Sequence, residues 1–202
     1  MKVGDWMVTD LVTVTKDNKL QDCIDLMKKH SIRHLPVVED GKLVGLITEG
    51  DLRQLFLASL IEELSITDVM IRDPISVTPE TNIEDAAKII YYNRIGGLPV
   101  VDDEDRLVGI ITVADIMAAF IELMGVLKSS SRIDVILGDD PEAFETVSGL
   151  IRSRGGEVIS VGISGHRFKK KRVYFFRLKR CNVKLIAKTL EKAGYQVVSY
   201  VQ

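Results

Sequence analysis

Leu43-Val44-Gly45-Leu46-Ile47-Thr48, with Asp51 close behind, returns as Leu107-Val108-Gly109-Ile110-Ile111-Thr112, with Asp115 close behind. From 43 to 107 the offset is 64 residues. Upstream, Leu35-Pro36-Val37-Val38 returns as Leu98-Pro99-Val100-Val101, and Met7-Val8-Thr9-Asp10 as Met70-Ile71-Arg72-Asp73, each 63 residues on (7 to 70). The additional residue falls in Asp102-Asp103-Glu104-Asp105, against Glu39-Asp40-Gly41, where a surface turn tolerates a change of length. A fixed period of this kind marks a duplicated structural unit.

Each copy reads the same way. The β-branched stretches Val12 to Thr15 and Ile75 to Thr78 predict a first strand. Leu20, Cys23, Ile24 and Met27 then recur at helical spacing, as do Ile83, Ala86, Ala87 and Ile90. Thr81-x-x-Glu84 has the form of a capping box. Pro36 to Glu39 and Leu43 to Ile47 read as strands joined at Asp40-Gly41. A last helix starts near Thr48 and should bury Leu52, Leu55 and Phe56; its counterpart starts near Thr112 and should bury Ile116 and Phe120. The order is β-α-β-β-α, twice.

Composition narrows the function. The net charge of −2 argues against a general polyanion binder. No stretch reaches the ~20 apolar residues of a membrane span, and the N-terminus does not read as a signal peptide. Cys23 and Cys181 lack a second Cys or a His at ligand spacing, so no metal is expected, and two lone thiols suit a reducing, cytoplasmic setting. His30, His34 and His166 have no partner of catalytic kind, so no enzyme is expected. His30 reads as a helix C-terminal residue facing the dipole.

The order of elements, the Leu-Pro-Val-Val segment and Gly-x-x-Thr-x-x-Asp at the end of each copy resemble CBS motifs, a tandem pair of which is a Bateman module. A strand running into a helix N-terminus aims N–H groups at an anion. Thr48 and Thr112 can donate to a phosphate, while Asp51 and Asp115 can accept from a ribose diol. Gly45 and Gly109 leave room for a base or sugar. The same Thr and Asp residues could instead serve only as helix caps. The resemblance implies AMP, ADP, ATP or S-adenosylmethionine as ligand. It implies one cleft lined by Val12, Thr13, Pro36 and Asp51, and another by Ile75, Ser76, Pro99 and Asp115. It further implies a pseudo-twofold pair and a homodimer that regulates another protein. The alternative is a ligand-free dimerisation scaffold.

The copies differ before the Leu-Pro segment. The first has Arg33-His34 and the second Gly96-Gly97. Arg33 can fork onto a phosphate and His34 can add a pH-dependent charge. Unequal sites are therefore expected, and the sequence leaves open which cleft these two residues serve.

Beyond Gly125 and Ser129-Ser130-Ser131 the pattern changes. Strand Arg132 to Leu137 precedes Asp140 as N-cap and Pro141 as the first residue of a helix to about Ser153. That helix carries Phe144, Val147, Leu150 and Ile151. Strands Val158 to Ile163 and Val173 to Leu178 follow. Asn182 should cap a helix carrying Leu185, Ile186 and Leu190 and closed by Gly194, before strand Tyr195 to Val201. This β-α-β-β-α-β order is ferredoxin-like and resembles an ACT domain, although Glu142 stands where that family's turn has Gly. The basic stretch His166 to Arg172 reads as a solvated hairpin, not a nucleic-acid contact. The chain is thus expected to be α+β: motif one over 1–62, motif two over 63–124, a linker over 125–131 and an ACT-like domain over 132–202. In this order of CBS, CBS and ACT-like parts the chain resembles the bacterial acetoin-utilisation regulatory proteins.

Overall fold

A computed structural model describes residues 1–57, 64–127, 130–138, 140–168 and 171–202, with the side chains of 55–57 and 165–168 left aside. Two compact units are present, Met1–Ala119 and Phe120–Gln202.

In the first unit, α1 (Leu20–His30), β1 (His34–Glu39), β2 (Lys42–Thr48) and α2 (Glu49–Leu57) form the first copy. After α3 (Ile66–Val69) and β3 (Ile71–Arg72), the series α4 (Ile83–Asn93), β4 (Gly97–Val101), β5 (Leu107–Thr112) and α5 (Val113–Leu123) forms the second. β1 pairs antiparallel with β2, and β4 with β5. Leu20, Cys23 and Met27 of α1 bury against Leu35, Val37, Ile47 and Leu52, the apolar stripe the helical spacing predicted. Of the residues expected inside the last helices, Leu52 and Ile116 are buried and Phe120 is half-buried. The side chains of Leu55 and Phe56 lie outside the described residues.

The expected first strands shrink to single parallel bridges, Val14 to Val37 and Val77 to Val100. In copy one the chain turns away at once, because the Thr15 N–H donates to Asn18 Oδ1 (2.8 Å). The capping box at Thr81 does not form. Asn82 is the N-cap of α4, and Thr81 Oγ1 accepts from Thr78 N at 3.1 Å.

Each copy's leading segment is built into the other copy. Val8 exchanges two backbone hydrogen bonds with Ile110 of β5 (2.9 and 3.0 Å). Its repeat counterpart Ile71 pairs with Leu46 of β2. Val3 N and Gly4 N donate to Thr81 O and Pro79 O in the second copy, whereas Ile66, 63 residues after Val3, is fully buried in the first copy's core. This exchange gives the two glycines their reason. A Cβ on Gly45 would run into the Met70 thioether, and one on Gly109 into that of Met7. The space expected for a base or sugar is occupied by the opposite leader's methionine.

The second unit runs β6 (Ser130–Ile136), α6 (Ala143–Ser153), β7 (Val158–Phe168), β8 (Lys171–Lys179), α7 (Val183–Lys192) and β9 (Gln196–Val201), with sheet order β7-β8-β6-β9. All three strand pairings are antiparallel. Ile133, Val135, Phe176 and Leu178 bury against Val147 and Ile151 of α6 and Ile186 and Leu190 of α7. Asn182 caps α7 as expected, accepting from Leu185 N at 3.1 Å. One detail differs from expectation. Helix α6 starts at Ala143 rather than Pro141, because Asp140 Oδ1 takes the Glu142 N–H (2.9 Å) in a turn before the helix. Phe144 and Leu185 are about half-exposed, and Phe144 covers the Phe176 ring from outside. The residues expected as a linker include Ser130 and Ser131, which already belong to β6. Buried Ser131 accepts from Cys181 N at 3.3 Å. Of the basic stretch, Arg167 pairs with Arg172 and Phe168 with Lys171 across β7 and β8, and residues 169 and 170 lie outside the described residues.

Candidate functional site

The sites form where strand meets helix. Helix α2 follows β2 with Thr48 as its first flanking residue and Asp51 in its first turn. Asp51 Oδ2 accepts both the Thr48 N–H (2.9 Å) and the Thr48 hydroxyl (2.6 Å), and Asp51 N donates to Thr48 Oγ1 (3.3 Å). In the second copy Asp115 Oδ2 accepts from Thr112 N (2.8 Å) and Thr112 Oγ1 (2.7 Å). The cap is reciprocal at α2, whereas at α5 Asp115 alone accepts, from both Thr112 donors. Each acid commits one oxygen to its cap, and among the described residues no hydrogen bond reaches Oδ1 of either. The helix starts are tethered alike: Glu49 N donates to Arg33 O (3.0 Å) and Val113 N to Gly96 O (3.1 Å).

Two clefts follow, of about 560 and 280 Å³. In the smaller, Val8, Val12 and Pro36 from the first copy face Ile110, Thr112 and Asp115 from the second. In the larger, Ile71, Ile75 and Gly97 from the second copy face Leu46, Thr48 and Gly50 from the first. Residue for residue, Val8 corresponds to Ile71, Val12 to Ile75, Ile110 to Leu46 and Thr112 to Thr48. The clefts are therefore twofold counterparts, and each joins the apolar wall of one copy to the helix start of the other. The expected grouping is corrected accordingly: Asp115, not Asp51, shares a cleft with Val12 and Pro36. The exchange of leaders across the pair is the cause. Thr13, Ser76, Pro99 and Asp51 are not among the lining residues of either cleft.

Arg33 and His34 line both clefts. His34 fits because residue 96 is glycine. A Cβ there would approach its Nε2 to 2.7 Å. Burial, then the adjacent Arg33 charge, holds the His34 imidazole below its usual range, and Asp51 opposes them weakly. The sequence reading missed Arg94, which lines the larger cleft. It follows α4 in the left-handed conformation (φ 56°), as its counterpart Ser31 follows α1 (φ 54°). A basic residue where the other copy has serine was the available signal. Among the described residues, no group of three His, Cys, Asp or Glu side chains is placed to hold a metal ion, and no helix is long and apolar enough to cross a membrane.

Residues 3–58 and 66–122, together more than half of the chain, match the CBS domain. The chain belongs to the CBS domain family. An inosine-5'-monophosphate dehydrogenase of Methanocaldococcus jannaschii is 34% identical over 155 residues, covering 75% of this chain and 30% of the enzyme. This chain spans less than half the length of the curated relatives it first matches. Among solved structures, the CBS domain pair of the protein MJ0100, in complex with 5'-methylthioadenosine and S-adenosyl-L-methionine, superposes with a TM-score of 0.56 at 31% identity. It covers 59% of this chain and 95% of that one. CBSX2 from Arabidopsis thaliana in complex with AMP gives 0.55 at 30% identity, over 60% of this chain and 96% of its own. AcuB from Vibrio cholerae gives 0.56 at 35% identity, over 62% and 94%. The CBS pair thus corresponds to the first unit and to the start of the second.

Proposed function

We propose that the two clefts of the CBS pair bind adenosine-bearing metabolites, AMP, ADP, ATP or S-adenosylmethionine, and that the chain is a regulatory sensor with no chemistry of its own. One observation carries this reading. In the smaller cleft Asp115 stands beside Thr112, opposite Val12 and Pro36, with Oδ1 left to accept from a ribose diol while Oδ2 holds the cap. An apolar slot for a base next to an acceptor-only group for a sugar is the chemistry of a nucleoside site. The complexes of the MJ0100 pair and of CBSX2 support it. Val12, Arg33, His34, Pro36, Thr112 and Asp115 would hold ligand in the smaller cleft, and Arg33, His34, Thr48 and Ile75 in the larger. Thr13, Asp51, Ser76 and Pro99 would act from behind these residues. Calorimetry of the full chain with AMP, adenosine and S-adenosylmethionine tests the proposal. Absence of heat from all of them refutes it.

A second reading rests on the caps themselves. Thr48–Asp51 and Thr112–Asp115 are complete without ligand, and Tyr91, Tyr92 and Met117 are exposed on α4 and α5. On this reading the CBS pair is a dimerisation scaffold. A homodimer whose affinity is unchanged by any adenosine compound would favour it. The second unit, with its β-α-β-β-α-β order, is read as an ACT-like domain that relays the state of the CBS pair to a protein partner. The Glu142 N–H, which a small ligand would need at the first turn, is already held by Asp140. A cytoplasmic location goes with this reading. Burial and then the Asp22 charge raise the Cys23 thiol to about 11, so it acts as a small apolar side chain.

A further inference from the structure

We propose that the two clefts sort adenosine ligands by charge, the larger taking a phosphorylated nucleotide and the smaller an unphosphorylated adenosine compound. The proposal rests on the adenosine reading above and goes beyond it by assigning a ligand class to each cleft. The twofold-related linings carry opposite balances of charge. The larger cleft has two guanidiniums, Arg33 and Arg94, against the single acid Glu49. Glu49 is itself ion-paired with Arg53 at 2.7 Å. The smaller cleft has Arg33 against Asp10 and Asp115. The larger is also twice the volume.

Arg33 is the hinge of the argument because it borders both clefts while its counterpart in the second copy is Gly96. A symmetric pair would bring two arginines to the axis, one for each ligand. Here one guanidinium must serve both sides. A phosphate lodged between Arg94 and Arg33 takes the shared cation. The smaller cleft is then left with two carboxylates and a neutral His34. A second phosphate would meet uncompensated like charge there, whereas a neutral or cationic nucleoside would not. The phosphate-bearing ligand therefore binds once per chain and leaves room for a different partner ligand opposite.

The test is calorimetry of the full chain with AMP and adenosine. AMP should give one tight event per chain, and adenosine added to AMP-saturated protein should give a second. Arg94→Ser copies the residue found at the equivalent Ser31, which already adopts the same backbone conformation. It should weaken AMP about 10- to 100-fold, the scale of a lost charged hydrogen bond, and leave adenosine within about twofold. Asp10→Asn should strengthen a second AMP event. Two AMP molecules binding with equal affinity, or Arg94→Ser weakening AMP and adenosine alike, would overturn the sorting while leaving the adenosine reading intact. No heat from either compound would overturn both.

Discussion

Replacing Asp115 separates its two assigned tasks. Asp115 Oδ2 accepts from Thr112 N and from the Thr112 hydroxyl, so Asp115→Ala removes the acceptor for both donors at the start of α5. Losing a cap of this kind costs about 1–2 kcal/mol. Asp115→Asn keeps a neutral acceptor in place and should cost only a few tenths of that order. Ligand affinity should divide differently. A hydrogen bond to a charged group contributes about 1 kcal/mol more than one to a neutral group. Two diol hydroxyls on Oδ1 would thus lose about 2 kcal/mol in the asparagine variant, roughly a 30-fold weakening of adenosine. Trp6 is the chain's only tryptophan and lies in the same unit. Urea unfolding followed by its fluorescence gives the stability, and calorimetry gives the affinity. If Asp115→Asn binds adenosine as tightly as the native protein, the carboxylate does not read the sugar and its role ends at the cap.

Other expectations follow from burial and charge. The folded protein keeps His34 below its usual value of 6.5, so the unfolded chain takes up a proton that the folded one refuses. The His34 contribution is therefore full above pH 6.5 and lost as pH falls below it. His34→Gln should flatten the acid limb of a urea-midpoint profile, and an unchanged slope would exclude His34 as its source. Ile66→Ala opens a cavity in the first copy's core although residue 66 belongs to the second copy's leader. A loss of about 3 kcal/mol is expected in the Trp6-monitored transition, and a loss under about 1 kcal/mol would contradict the packing. Cys23 should resist alkylation at about pH 8 until the chain is unfolded, because its thiol is both buried and raised to about 11. Mass spectrometry finding native Cys23 modified would refute that.

The repeat was legible because it is local. Helical spacing, the Leu-Pro-Val-Val strands and the Thr-x-x-Asp helix starts each occupy a few consecutive residues, and the structure has them within a residue or two of the positions read. What was not legible depends on partners far along the chain. Nothing near Val8 announces Ile110, and nothing near Asp115 announces Val12 and Pro36, so the acids were assigned to the wrong walls. Gly45 and Gly109 were read from the ligand's side because their true neighbours, Met70 and Met7, arrive from the opposite copy. Val12 to Thr15 has strand chemistry, yet only Val14 finds a bridge. Thr81 and Asp140 show the limit of cap signatures: in each case the short polar side chain bonded to its own turn and the helix began later.

The crossed leaders make the duplication indivisible. A fragment holding residues 64–122 alone would offer Ile71 with no Leu46 to pair with, and an Ile110 edge with no Val8 to cover it. Two such fragments can supply each other, since one's Ile71 segment fits where the other lacks Val8. Half of this CBS pair should therefore assemble as an intertwined twin that rebuilds the intact pair from two polypeptides. The covalent tandem can be understood as that twin joined into one strand, free thereafter to let Arg33 and Gly96 diverge at positions that symmetry would have kept the same.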